Sequence, residues 1–150
     1  MLSNLSPCRL ATTSRIGRIV ALGAAVLLLG ACAVNQDPAL AGPEYPEAKA
    51  QTRTLDIQVV RTQTSLQLTN TTARAYGKSR LWLNRWYSAE IPGLAVGQSI
   101  EMRQDSFRDQ YGEAFRGGGF FATRKPQKIN LVQLETEDGM VGLVAVGKED

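Results

Sequence analysis

Residues 55–59, Leu-Asp-Ile-Gln-Val, alternate apolar with polar side chains, and residues 65–69, Ser-Leu-Gln-Leu-Thr, repeat the pattern. A period of two is typical of a β-strand that buries one face and exposes the other. The second stretch stops at Asn70-Thr71-Thr72, a group that favours turns. We therefore expect the chain from residue 51 onward to form a β-sheet.

Four further stretches extend this sheet, at residues 80–87, 99–103, 128–136 and 140–146. The last two flank Glu137-Asp138-Gly139, and an Asp-Gly pair between β-rich runs predicts a tight hairpin. The expected fold class is mainly β: a small antiparallel β-sandwich or open barrel over residues 51–150, similar in size to an immunoglobulin domain.

One short helix is expected within this domain, from Asp105 to Phe115. Phe107, Tyr111 and Phe115 recur every four residues and would share one apolar stripe. The run Arg116-Gly-Gly-Gly-Phe-Phe121 follows, and we interpret it as a helix stop whose phenylalanines return to the core. Because the glycines follow the helix, they do not predict a phosphate loop.

Composition excludes several classes of site. The chain has no histidine, so triads and metal sites that need histidine are excluded. Both cysteines, Cys8 and Cys32, precede the domain, so it holds no disulfide framework. We expect no cofactor and no metal site.

The charge of the chain is unevenly distributed. Residues 1–31 hold three of the 17 basic residues and none of the 14 acidic ones, which leaves the remainder balanced. A nucleic-acid partner is therefore not expected, because it needs an excess of basic side chains.

The N-terminal residues have the three parts of a secretory signal peptide. Residues 1–18 are polar and basic, residues 19–29 are apolar, and the small residues Gly30 and Ala31 precede Cys32. Leu29-Gly30-Ala31-Cys32 resembles the lipobox of bacterial lipoproteins, and the resemblance covers only the leader and the linker.

This resemblance implies cleavage between Ala31 and Cys32 and a diacylglyceryl group on the Cys32 thiol. Membrane lipid is then the first partner, and the domain lies in the cell envelope, facing the periplasm or the exterior. Ala33, rather than Asp, slightly favours the outer membrane. Two alternatives stay open: residues 19–34 as an uncleaved anchor, which is short for a span, or ordinary cleavage that leaves Cys32 a free thiol.

Residues 32–50 are expected to be a lipidated N-terminus and a disordered, proline-rich tether. Pro38, Pro43 and Pro46 interrupt any apolar period and favour extended backbone.

Two groups of side chains are candidate sites. Within the strand expected at 80–87, Trp82, Asn84 and Trp86 have the parity opposite to the leucines, and could bind a sugar ring or a partner peptide. The alternative is that the indoles are buried. Asp105, Asp109 and Glu113 would share a helical face, on which they form either a solvated charged surface or a carboxylate site.

Three hypotheses follow. The first is a membrane-tethered envelope lipoprotein with a non-catalytic binding or structural role, and an envelope protein or glycan as partner. The second is a histidine-free envelope hydrolase that uses Asp105, Asp109 and Glu113. The third is an accessory subunit that docks through Trp82 and Trp86.

Overall fold

The computed structural model describes residues 36–146, which form one mixed sheet of seven strands curled into a half-barrel. The mainly β fold is therefore confirmed. The order of the strands across the sheet is β4-β3-β6-β7-β1-β2-β5. The strands are β1 (Gln51–Arg61), β2 (Ser65–Asn70), β3 (Ser79–Leu83), β4 (Tyr87–Ile91), β5 (Ser99–Arg103), β6 (Val132–Thr136) and β7 (Gly139–Val146).

All neighbouring strands are antiparallel except β1 and β7, which pair in parallel. The hairpin predicted around Glu137-Asp138-Gly139 is present, because Thr136 pairs with Gly139 across it. The strand before it begins at Val132 rather than at residue 128.

The main core lies on one face of the sheet. The alternation in β1 and β2 buries Ile57 and Val59 from one strand, and Leu66 and Leu68 from the next. Fully burying each such side chain contributes about 1.5–3 kcal/mol. The strands β3, β4 and β6 add Leu81, Leu83, Tyr87, Ile91 and Leu134 to the same cluster.

The single strand expected at residues 80–87 is instead a hairpin. Asn84 and Arg85 both have positive φ, 53° and 59°, which reverses the chain between β3 and β4. Asn84 suits this position because its short polar side chain tolerates the left-handed region. Its carboxamide also donates to the Lys128 carbonyl at 2.7 Å and accepts from the backbone amides of Asn130 and Leu131.

The helix expected from Asp105 to Phe115 does not form. A three-residue 3-10 helix at Gln104–Ser106 is followed by a folded arm in which the Phe115 amide donates to the Phe107 carbonyl. The Asp109 carboxylate accepts from the backbone amides of Tyr111 and Glu113, a local bonding pattern that competes with helix formation. Phe107 and Phe115 reach the core, whereas Tyr111 is half exposed.

The segment that precedes β1 also differs from expectation. Residues 37–50, here called the strap, contact the sheet instead of forming a free tether. The Gly42 amide donates to the Asp109 carbonyl at 2.8 Å, and the Tyr45 hydroxyl donates to Gln133 at 3.0 Å. The strap thus covers part of the face opposite the core, so both faces of β3 and β6 are buried there.

Candidate binding surface

The two tryptophans have different surroundings. Trp82 lies on the face of β3 opposite its leucines and is 1% exposed. The Tyr45 ring covers it edge-on at 5.1 Å between centroids, and its indole N–H donates to Glu135 at 3.0 Å. Trp82 therefore belongs to the interface between strap and sheet, and is not part of an exposed face.

Trp86 is 46% exposed in the turn between β3 and β4. Its ring lies 6.3 Å from that of Tyr111, which is 52% exposed. The expected trio is therefore not brought together: Trp82 is covered, Asn84 is committed to the turn, and Trp86 has Tyr111 as its neighbour. Sequence reasoning missed Tyr111, because the helix prediction placed it in an apolar stripe.

Asp109 holds this aromatic pair in place. Its carboxylate is 2% exposed, and its Oδ2 accepts the Trp86 indole N–H at 3.2 Å. Its Oδ1 accepts the amides of Tyr111 at 2.9 Å and Glu113 at 2.8 Å. Each oxygen is thus engaged in fixing the position of a neighbouring residue.

A small cleft of about 90 Å³ lies beside Trp86. The Arg85 guanidinium lies over the Tyr45 ring on one side of it, 5.9 Å from the ring centroid. Glu44, Glu47 and Gln110 supply polar groups at its edge. A cleft this small cannot enclose a ligand of drug size, so Trp86 and Tyr111 form an open surface rather than an enclosed pocket.

The three carboxylates of the hydrolase hypothesis do not form one group. Asp105 pairs with Arg103, which holds the pKa of that carboxyl below its usual value. Asp109 is bonded as described above, and Glu113 lines a separate groove. Among residues 36–146 no cluster of three or more acidic or cysteine side chains could hold a metal ion.

Phe120 and Phe121 do not return to the core, contrary to expectation: they are 94% and 89% exposed. The aromatic residues of the core cluster are instead Phe107, Phe115, Tyr76 and Tyr87, with Tyr87 and Phe115 in edge-on contact. Sequence reasoning therefore missed an exposed aromatic pair, and the signal for it was the absence of a period-two pattern in residues 116–127.

The same loop forms one wall of an open groove of about 540 Å³. Arg108, Arg116 and Arg124 line it, together with Glu113 and Phe121. The glycine run beside this groove lacks the order of residues that a phosphate loop needs.

Ala31, Cys32 and the rest of the leader lie outside the described residues. In the part that the structure describes, no helix is long and apolar enough to cross a membrane. The chain matches no known family model, no curated protein and no solved structure.

Proposed function

We propose that this chain is a lipoprotein of the bacterial cell envelope, anchored through an acylated Cys32 and carrying a non-catalytic binding domain. The observation that carries the proposal is the order of the N-terminal residues, in which Leu29-Gly30-Ala31-Cys32 directly follows an apolar run. Two or three acyl chains anchor a protein stably, at about 0.8 kcal/mol per buried CH₂ group.

The fold supports this proposal in one respect. Among the described residues, Asp37 contacts the domain, since its carbonyl lies against Gly112. From Cys32 to Asp37 the chain can span at most roughly 18 Å, at about 3.6 Å per residue. An anchor at Cys32 would thus hold the domain close to the bilayer, because the strap takes up most of the expected tether.

The test compares Cys32→Ser with the native chain in its bacterial host. We expect the native protein in the membrane fraction, with an intact mass that shows cleavage before Cys32 and added acyl chains. Cys32→Ser should lose the acyl mass and keep its leader. Cys8→Ser is the matched control and should behave as the native chain does. Equal processing and equal partition of the Cys32→Ser protein would contradict the proposal.

The surface formed by Trp86 and Tyr111 favours a second, narrower role, docking on an envelope protein or glycan. A buried carboxylate fixes two half-exposed aromatic residues, Trp86 through its indole N–H and Tyr111 through its backbone amide, and they form a pre-ordered contact surface. Tyr111→Ala should abolish association with the partner and leave the unfolding midpoint unchanged, because Tyr111 donates only its backbone amide to Asp109. Retained association in a folded Tyr111→Ala protein would exclude this surface.

A further inference from the structure

The two most exposed large apolar side chains of the described residues, Phe120 and Phe121, are neighbours in one loop. Their rings contact each other edge-on, at 5.1 Å between centroids. Exposure of two phenyl rings to water is unfavourable, and the burial of aromatic rings is the main contribution to the binding free energy of interfaces. The pair therefore indicates a surface that meets an apolar environment.

The charge of this loop indicates what kind of environment that is. Residues 116–128, here called the basic aromatic loop, contain Arg116, Arg124, Lys125 and Lys128 and no acidic residue. No carboxylate among residues 36–146 lies within ion-pair distance of these four side chains. Positive charges beside an apolar tip complement a bilayer whose headgroups carry phosphate.

The groove next to the tip fits the same ligand chemistry. Arg108, Arg116 and Arg124 line its open volume of about 540 Å³, and Glu113 is the single carboxylate among its lining residues. Arginine binds phosphate through two parallel N–H donors. A lipid phosphate could enter this groove while the phenyl rings contact acyl chains.

The position of the loop in the fold agrees with contact between one end of the sheet and a bilayer. The Gly118 amide donates to the Gln63 carbonyl at 2.8 Å, which places the loop at the end of the sheet where β1 ends and β2 begins. The turn that carries Trp86 lies at this same end, because β3 ends there and β4 starts there. The chain enters the domain beside Gly112, next to that turn, through the contacts of Asp37 and Gly42.

We propose that the basic aromatic loop inserts Phe120 and Phe121 into the headgroup layer of a bilayer that contains anionic phospholipids. The loop would then orient the domain with this end toward the membrane. The orientation rests on the proposed anchor at Cys32, whereas insertion of the loop does not require acylation.

The experiment uses the full chain with Cys8→Ser and Cys32→Ser, so that acylation plays no part. Phe121→Cys carries an environment-sensitive fluorophore, and the chain is reconstituted into vesicles of phosphatidylcholine with or without phosphatidylglycerol. Acyl chains brominated near the headgroup quench the label on contact. We expect strong quenching with phosphatidylglycerol, several-fold weaker quenching without it, and loss of the difference at about 1 M salt, where screening is short-ranged.

Val96→Cys is the matched label control. Val96 is 56% exposed in the loop between β4 and β5, at the opposite end of the sheet, and its label should not be quenched. Arg124→Gln with Lys125→Gln should reduce quenching at position 121 to the level seen in phosphatidylcholine alone.

Three outcomes would overturn the proposal. The first is equal quenching at positions 121 and 96. The second is a label at position 121 that is shielded from water without vesicles, which would indicate a protein contact. The third is a change in the emission of the label with inorganic phosphate alone that equals the change with vesicles, which would indicate a site for a soluble anion. Failure of the anchor is seen separately, in the fractionation of the Cys32→Ser protein.

Discussion

Gly112 shows how one missing side chain fixes the path of the strap. Its φ is +83°, and a Cβ at this position would overlap the Asp37 carbonyl. Gly97 has a comparable φ of +71° but open space around it. The two positions therefore share the cost of a left-handed conformation and differ only in the contact with the strap.

We predict that Gly112→Ala lowers the free energy of unfolding by about 3 kcal/mol, and Gly97→Ala by about 1 kcal/mol. The difference measures the displacement of Asp37. Urea unfolding monitored by circular dichroism gives both values. Equal losses would show that the strap does not rest against Gly112.

The turn at Asn84 and Arg85 depends on contacts that the local sequence does not reveal. The stretch from Arg80 to Tyr87 has strong β propensity and no glycine, so it predicted one continuous strand. The three hydrogen bonds of the Asn84 side chain reach Lys128, Asn130 and Leu131, far away in sequence. Only the folded chain brings these partners together, so the reversal could not be predicted locally.

The strap contacts the sheet through both an ion pair and side-chain packing. Glu135 accepts from the Trp82 indole and pairs with Lys49 of the strap at 2.5 Å. Burial tends to raise the pKa of Glu135, but the Lys49 ammonium and the Trp82 N–H outweigh burial and hold it below the ordinary value of 4.5. The ionised carboxylate is thus favoured in the folded state.

A carboxylate whose pKa is lower in the folded state than in the unfolded state stabilises the fold at pH values above its unfolded-state pKa. That contribution is lost as the pH falls through its folded-state pKa. The free energy of unfolding of the native chain should fall between about pH 5 and pH 3. We predict that this fall is smaller in Glu135→Gln, by less than about 1 kcal/mol because the pair is partly exposed. Urea midpoints at both pH values give the effect.

Glu137→Gln is the control for that comparison, since Glu137 lies in an exposed turn. It should leave the pH dependence of the midpoint unchanged. An identical response of the two variants would contradict the assigned role of Glu135.

Elements with a clear period were predictable, and those defined by long-range contacts were not. β1, β2 and β5 follow the alternation of their side chains, and the hairpin of β6 and β7 follows its Asp-Gly turn. The strap has three prolines and no period, so its contacts with Trp82 and Gln133 leave no local signal. The expected helix failed because the side chain of Asp109 bonds its own backbone neighbours.

At the scale of the described domain, the strap contacts β3 and β6, and the sheet connects these two strands to the other five. Trp86→Phe leaves Trp82 as the single tryptophan, and Trp82 reports on the contact between strap and sheet. We predict that its fluorescence and the far-ultraviolet circular dichroism change at the same urea concentration, as in a two-state transition. An earlier change in fluorescence would show that the strap detaches before the sheet unfolds.

The whole-molecule fold class was predictable from composition and period, but the position of the candidate surfaces was not. Trp86, Tyr111 and the basic aromatic loop meet at one end of the sheet because of the strand order, which alternation cannot reveal. Sequence alone also assigned Phe120 and Phe121 to a core that other aromatic residues fill.

The parallel pairing of β1 with β7 has a consequence for biosynthesis. β7 follows the other six described strands in the chain, yet it lies between β4-β3-β6 on one side and β1-β2-β5 on the other. A nascent chain that has not reached Gly139 holds two three-stranded groups without the strand that pairs with both. The seven-stranded sheet can therefore close only after the eight residues of β7 have been made.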